Sequence, residues 1–148
     1  MLEQNQADYF IKLKKHRTTE LTYDMRSSKL QIPLIGYGTQ TKEEFILDIN
    51  KNTIKIEKYT VQNRMRKSIG LIRVDFGAGA HTNPDGKIIT GPHIHIYKEG
   101  YDLKWAYNLP YVGAHGSFTD NGSAFANLNQ FYMFCNISDP PILQGGLL

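Results

Sequence analysis

Residues 81–97 read HTNPDGKIITGPHIHIY and carry three of the chain's five histidines. A turn comes first. Pro84 suits the second position of a β-turn and Gly86 tolerates a positive φ. From His93 onward the residues alternate strictly by two. Side chains alternate across a β-strand, so Ile94 and Ile96 share one face and His93, His95 and Tyr97 the other. An apolar row thus backs a row rich in titratable groups.

The same period runs through IGLIRVDF, Ile69 to Phe76. Ile72, Val74 and Phe76 then join Ile94 and Ile96 on the core face, leaving Arg73 and Asp75 beside the histidines. LKWAYNL reads as a strand with Trp105, Tyr107 and Leu109 toward the core and Lys104 and Asn108 opposite. EEFILDI and TIKIEKYTV read as a hairpin closed by NKN. KLQIPLIGYG is an edge-strand candidate, because Pro33 lacks the N–H a central strand needs.

Helices flank these strands. In EQNQADYFIKLKKHR, Ala7, Phe10, Ile11 and Lys14 fall at helical spacing. In DNGSAFANLNQFYMFCNI, Phe125, Leu128, Phe131, Tyr132 and Cys135 form a stripe behind an N-cap at Asp120 or Asn121. The expected fold class is α+β: an antiparallel β-sheet of about five or six strands, with an N-terminal and a C-terminal helix packed on one face. With 148 residues, no repeat and no low-complexity linker, residues 1–148 read as a single domain.

Composition narrows the class. Hydrophobic residues make up 41% and charged residues 21%, a globular balance. The apolar runs are too short to span a bilayer, and no secretory signal opens the chain, so a cytoplasmic protein without membrane contact is expected. The single cysteine, Cys135, reads as a buried thiol. Net charge is +3, but residues 1–73 hold 14 Lys/Arg against 8 Asp/Glu, and residues 74–148 hold 3 against 6. Basic clusters at KLKKHR and RMRKS are what a phosphate-docking surface displays. His16, among lysines at a helix end, reads as dipole compensation. His115 reads as a loop residue.

The polar row supports two chemistries. Cleaving RNA without metal needs a base for the 2′-hydroxyl and an acid for the leaving oxygen, and histidine suits both near neutral pH. His93 and His95 are the candidate pair, His81 an orienting or substitute group, and Tyr97 a stacking or hydrogen-bonding group. Arg73 and Lys104 would hold phosphate. No cofactor is needed for that reading. In the alternative, His93 and His95 share one divalent metal ion, their Cβ atoms being about 6.5–7 Å apart on a strand, with Asp85 or His81 adding a ligand from the loop.

The HIH triplet resembles the His-hydrophobic-His motif of nucleases that start rolling-circle replication or transposition. That likeness implies a metal-binding pair and a tyrosine nucleophile, for which Tyr132 is the candidate. HIHIYKE also resembles part of the cupin metal motif through His93, His95 and Glu99, but KEG reads as the strand ending in a turn. HTNPDG…PHIHIYKEGYDLKWAY as a whole resembles the signature segment of a family of small uncharacterised bacterial proteins, many encoded by prophages. The resemblance implies a bacterial or phage origin and no particular activity.

The functional expectation is a small protein acting on RNA, a metal-independent endoribonuclease of toxin or phage-defence type. A non-enzymatic inhibitor or antitoxin-like protein, docking on a protein partner or host target, is the alternative. A metal-dependent nuclease stands third.

Overall fold

The computed structural model describes residues 1–77 and 79–145. Along the chain run α1 (Gln4–Lys12), β1 (Lys15–Arg17), β2 (Thr22–Asp24), β3 (Lys29–Tyr37), β4 (Lys42–Lys51), β5 (Tyr59–Met65) and β6 (Ile69–Phe76). Then come β7 (His81–Thr82), β8 (Ile88–Ile89), β9 (His93–Ile96), β10 (Ala106–Asn108), β11 (Tyr111–Gly113) and β12 (Gly116–Phe118). The helix α2 (Ala124–Phe134), β13 (Ile137–Asp139) and β14 (Ile142–Gln144) close the described chain. The fold is α+β, and no helix among the described residues is long and apolar enough to cross a membrane.

The main sheet has eight strands in the order β10-β9-β6-β5-β4-β3-β1-β13. The expected five or six correspond to its long antiparallel middle. The count rises because β1 and β13, three residues each and too short to show a period, extend one end. β13 joins β1 in parallel, so the sheet is mixed.

Alternation sorts the middle strands cleanly. Leu30, Ile32 and Leu34 on β3, Phe45, Leu47 and Ile49 on β4, Val61 and Met65 on β5, and Ile72, Val74 and Phe76 on β6 are buried in one cluster. Ile94 and Ile96 extend it, and Ala7 and Ile11 of α1 with Leu128 and Phe131 of α2 pack into it. Ser123 caps α2 by accepting from the Ala126 N–H, in place of the expected Asp120 or Asn121. Phe125, expected on the buried stripe, is exposed.

Several expectations are corrected by local chemistry. β3 has a neighbour on each side, so KLQIPLIGYG is not an edge strand. Pro33 is tolerated because β1 pairs only with Leu34, Ile35 and Gly36. TIKIEK is not strand. The Asn52 side chain accepts from the Ile54 and Lys55 N–H groups, each at 2.9 Å, and this local bond displaces the ladder. Ile54 and Ile56 are accordingly exposed. On β10, Ala106 is the buried residue, while Trp105 and Leu109 are only half-buried and Tyr107 is exposed.

Lys15, expected on a solvated basic surface, is fully buried. Its Nζ donates to the carbonyls of Ile11 (2.9 Å), Leu13 (2.8 Å) and Cys135 (2.7 Å). Three N–H groups thus meet three carbonyls at the C-terminal ends of both helices, where unpaired acceptors and helix dipoles favour a cation. Burial pushes this lysine down to about 8, so it stays mostly charged at neutral pH. Asn136, at φ 53°, adds a bond from its Nδ2 to the Lys12 carbonyl at 2.8 Å. Burial pushes the neighbouring Cys135 thiol up to about 12, which leaves it protonated and inert.

Replacing Lys15 by Met keeps the apolar stem but strands three carbonyls. Lys15→Met is expected to cost about 2–4 kcal/mol in urea unfolding. A loss below about 1 kcal/mol would show that the helix ends do not depend on the ammonium.

Candidate functional site

The antiparallel register of the sheet builds the polar face row by row. Asp48, Gln62, Arg73 and His95 lie opposite one another across β4, β5, β6 and β9. Asn50, Thr60, Asp75, His93 and Asn108 form the next row. Asp75 therefore sits directly across from His93 and diagonally from His95, within reach of both.

The contacts converge on one atom. Asp75 Oδ2 lies 3.0 Å from His93 Nε2, 3.2 Å from His95 Nε2 and 3.2 Å from Arg73 Nη2. Arg73 Nε donates to Asp75 Oδ1 at 3.1 Å, and Arg73 Nη2 stands 3.0 Å from His95 Nε2. The second nitrogen of each imidazole meets a backbone carbonyl. His93 Nδ1 is 2.9 Å from Gly91 O, and His95 Nδ1 is 2.7 Å from Leu103 O. A carbonyl only accepts, so both Nδ1 atoms carry hydrogens.

At His95 Nε2 two partners compete: Arg73 Nη2–H would donate to a lone pair there, and Asp75 Oδ2 would accept from a hydrogen. His93 faces acceptors at both nitrogens, a carbonyl and a carboxylate, which favours its imidazolium form. Its pKa is raised accordingly, chiefly by the Asp75 hydrogen bond, against the lowering effect of burial. Burial alone would push the Asp75 carboxyl up. The bonds to His93 and His95, with the Arg73 charge, outweigh it and hold Asp75 well below the usual carboxylate range.

His81 belongs to this cluster. Its ring centroid lies 4.8 Å from that of His95 and 5.7 Å from that of His93. Its Nε2 is 2.9 Å from the Lys104 carbonyl. The loop carrying it is tied down by Asn83, whose side chain exchanges two hydrogen bonds with the Ala106 backbone at 3.0 and 2.9 Å. Exposure separates the histidines: His95 is 0% and His93 3% exposed, whereas His81 keeps partial access.

Other candidates lie elsewhere. Tyr97 is not on the histidine face. It lies beyond the end of β9, where its N–H donates to the carbonyl of Leu71, the residue left unpaired by a register shift in β6. The bulge breaks the alternation, and the ring is buried in the core. Its hydroxyl donates to the Leu2 carbonyl at 2.7 Å. Lys104 brings its backbone carbonyl to the cluster. Asp85 is exposed in the 83–86 turn, where Oδ1 accepts from the Lys87 N–H at 3.0 Å. It is not the carboxylate of the cluster; Asp75 is. The gap arises because Asp85 is near in sequence, whereas Asp75 is brought in by strand pairing.

His115 pairs with Asp8 at 3.2 Å, away from the cluster. Tyr132 is buried in the core and burial raises its pKa, which argues against a nucleophile. Glu99 accepts from the Gln4 N–H at 2.7 Å, consistent with the strand ending before it. The basic clusters are largely spent on internal partners: Arg17 pairs with Glu20 and Asp139, Arg64 with Asp48, and Arg66 with Glu43. At the polar face, Arg73 and Lys58 border an open depression of about 330 Å³, shared with Asn50, Thr60, Gln62 and Asp75.

The two shifted groups act on stability in opposite pH ranges. Asp75, with a depressed pKa, stabilises above the ordinary value of 3.8 and loses that contribution only in strong acid. His93, raised above 6.5, contributes fully below that pH and loses its contribution as pH climbs through the raised value. In EDTA-treated protein, the stability advantage of wild type over His93→Gln should therefore shrink between mildly acidic and alkaline pH. A constant difference between the two melting profiles would contradict the imidazolium assignment.

No curated protein and no solved structure matches the chain. One family, described as "Family of unknown function (DUF6978)", matches residues 2–137, and the chain belongs to that family.

Proposed function

We propose that the chain acts on nucleic acid at the polar sheet face and cleaves a phosphodiester bond, with RNA as the first substrate class. The observation that carries this reading is the position of Arg73. Its guanidinium is fixed by Asp75 and His95, and it also borders the open depression beside Lys58. A positioned guanidinium at an open seat is suited to phosphate and to the charge that develops on it.

Roles follow from exposure. His93 and His95 are buried, so paired acid–base work by these two rings on a 2′-hydroxyl, the metal-free form of the reading, has weak geometric support. His81 retains surface and is the histidine that can meet substrate. In this scheme His81 takes the 2′-hydroxyl proton, the 2′-oxygen bonds to phosphorus, and the P–O5′ bond breaks. The leaving oxygen takes a proton from water. Asp75, His93 and His95 act as positioning groups for Arg73. A toxin or phage-defence setting fits such an activity.

A second reading, a non-enzymatic inhibitor or antitoxin-like protein, is favoured by the internal pairing of Arg17, Arg64 and Arg66, which takes the arginines of both basic clusters away from a phosphate backbone.

The test is cleavage of end-labelled structured RNA and single-stranded DNA at low salt, with and without EDTA. Arg73→Ala should lower the RNA cleavage rate about 100-fold or more, as loss of a charge-stabilising donor does. Lys58→Ala should mainly weaken binding. Absence of cleavage and of salt-sensitive RNA binding under every condition would overturn the proposal in favour of the binding protein.

A further inference from the structure

The geometry points to a binding site for one first-row divalent transition ion, with zinc as its test metal, held by Asp75 Oδ2, His93 Nε2 and His95 Nε2. The inference deepens the nuclease reading of the same face, on which its functional meaning rests, but metal binding alone decides it.

Three observations carry it. First, the three ligand atoms lie within 4.8 Å of one another, with the carboxylate oxygen 3.0 and 3.2 Å from the two nitrogens. Ligand bonds of about 2.0–2.1 Å in tetrahedral geometry place neighbouring ligand atoms about 3.3–3.4 Å apart, so the carboxylate oxygen stands within a few tenths of an ångström of that spacing from each nitrogen. Second, both Nδ1 atoms are already committed to carbonyls, of Gly91 and Leu103. Histidines that bind metal through Nε2 are oriented in just this way, by a carbonyl or carboxylate on the other nitrogen. Third, both Nε2 atoms converge on one carboxylate oxygen, and Arg73 Nη2 stands 3.0 Å from His95 Nε2. One divalent ion seated there would meet two imidazole nitrogens and the carboxylate charge.

The donor set selects the class. Two imidazoles and one carboxylate suit zinc or iron(II) better than magnesium or calcium, which prefer oxygen ligands throughout. Three protein ligands also leave a position open, the mark of a catalytic rather than a closed structural site. Arg73 Nη2 stands beside Asp75 Oδ2 and His95 Nε2, so with an ion bound it would turn toward the depression it already borders and remain there as a phosphate contact. Access is through the same depression, where Asp75 is part of the wall.

The experiment is titration of EDTA-stripped full-length protein with Zn²⁺ by calorimetry, and with Co²⁺ by visible absorption. One equivalent should bind, with the cobalt spectrum of a nitrogen–oxygen site of four or five ligands, and zinc should raise the thermal midpoint. Asp75→Asn and His93→Gln, checked for folding by circular dichroism, should weaken binding more than about 100-fold, beyond the loss of a merely supporting partner. Because those variants remove buried groups, Arg73→Ala gives a second arm: it leaves all three ligands and should bind zinc at least as tightly as wild type. His16→Gln should bind unchanged.

Absence of stoichiometric binding, or binding that survives Asp75→Asn and disappears in His16→Gln, would overturn the site. Zinc binding without any cleavage would uphold the metal site while removing the nuclease. Cleavage that persists in EDTA, with no zinc bound, would do the reverse.

Discussion

The polar half of this molecule is organised by one carboxylate oxygen. Asp75 Oδ2 meets two histidines and an arginine within 3.2 Å, on strands brought together only by long-range pairing. Remove that oxygen and His93 loses its acceptor, while Arg73 loses the group that aims it. A buried carboxylate is costly unless its lone pairs are satisfied, and here cations and ring N–H groups satisfy them. Such a network is fully effective only when complete, so its members constrain one another.

The scaffold beneath has a counterpart to this arrangement. Lys15 ties the C-terminal ends of α1 and α2 together through three carbonyls, and Asn136 adds a fourth bond between the same regions. Both helices are thereby held against the apolar face of the sheet, leaving the opposite face to Asp48, Gln62, Arg73, Asp75 and the histidines. Each half uses one buried charge whose partners number as many as its donors or acceptors require. That is where a burial penalty becomes positional specificity.

The apolar face was legible because period-two alternation is a local signal. Ile72, Val74, Phe76, Ile94 and Ile96 declare themselves, and the face of Arg73, Asp75, His93 and His95 follows from them. The hub role of Asp75 was not legible, since it depends on the register that sets Asp75 opposite His93. Sequence proximity favoured Asp85 instead. Tyr97 was misplaced because alternation holds only while a strand stays regular, and the bulge at Leu71 ends that regularity. Lys15 hid in a run of lysines that looks like solvent-facing charge. Ile54 and Ile56 alternate like a strand, yet Asn52 turns the chain before they can pair.

The most direct measurement is anomalous diffraction at the zinc edge from crystals grown with zinc. The expected result is one strong peak about 2.1 Å from Asp75 Oδ2, His93 Nε2 and His95 Nε2, with Arg73 turned into the depression. Peaks confined to His16 or His115, with Arg73 still against His95, would contradict a metal centre and leave Asp75 as the hub of a purely structural network.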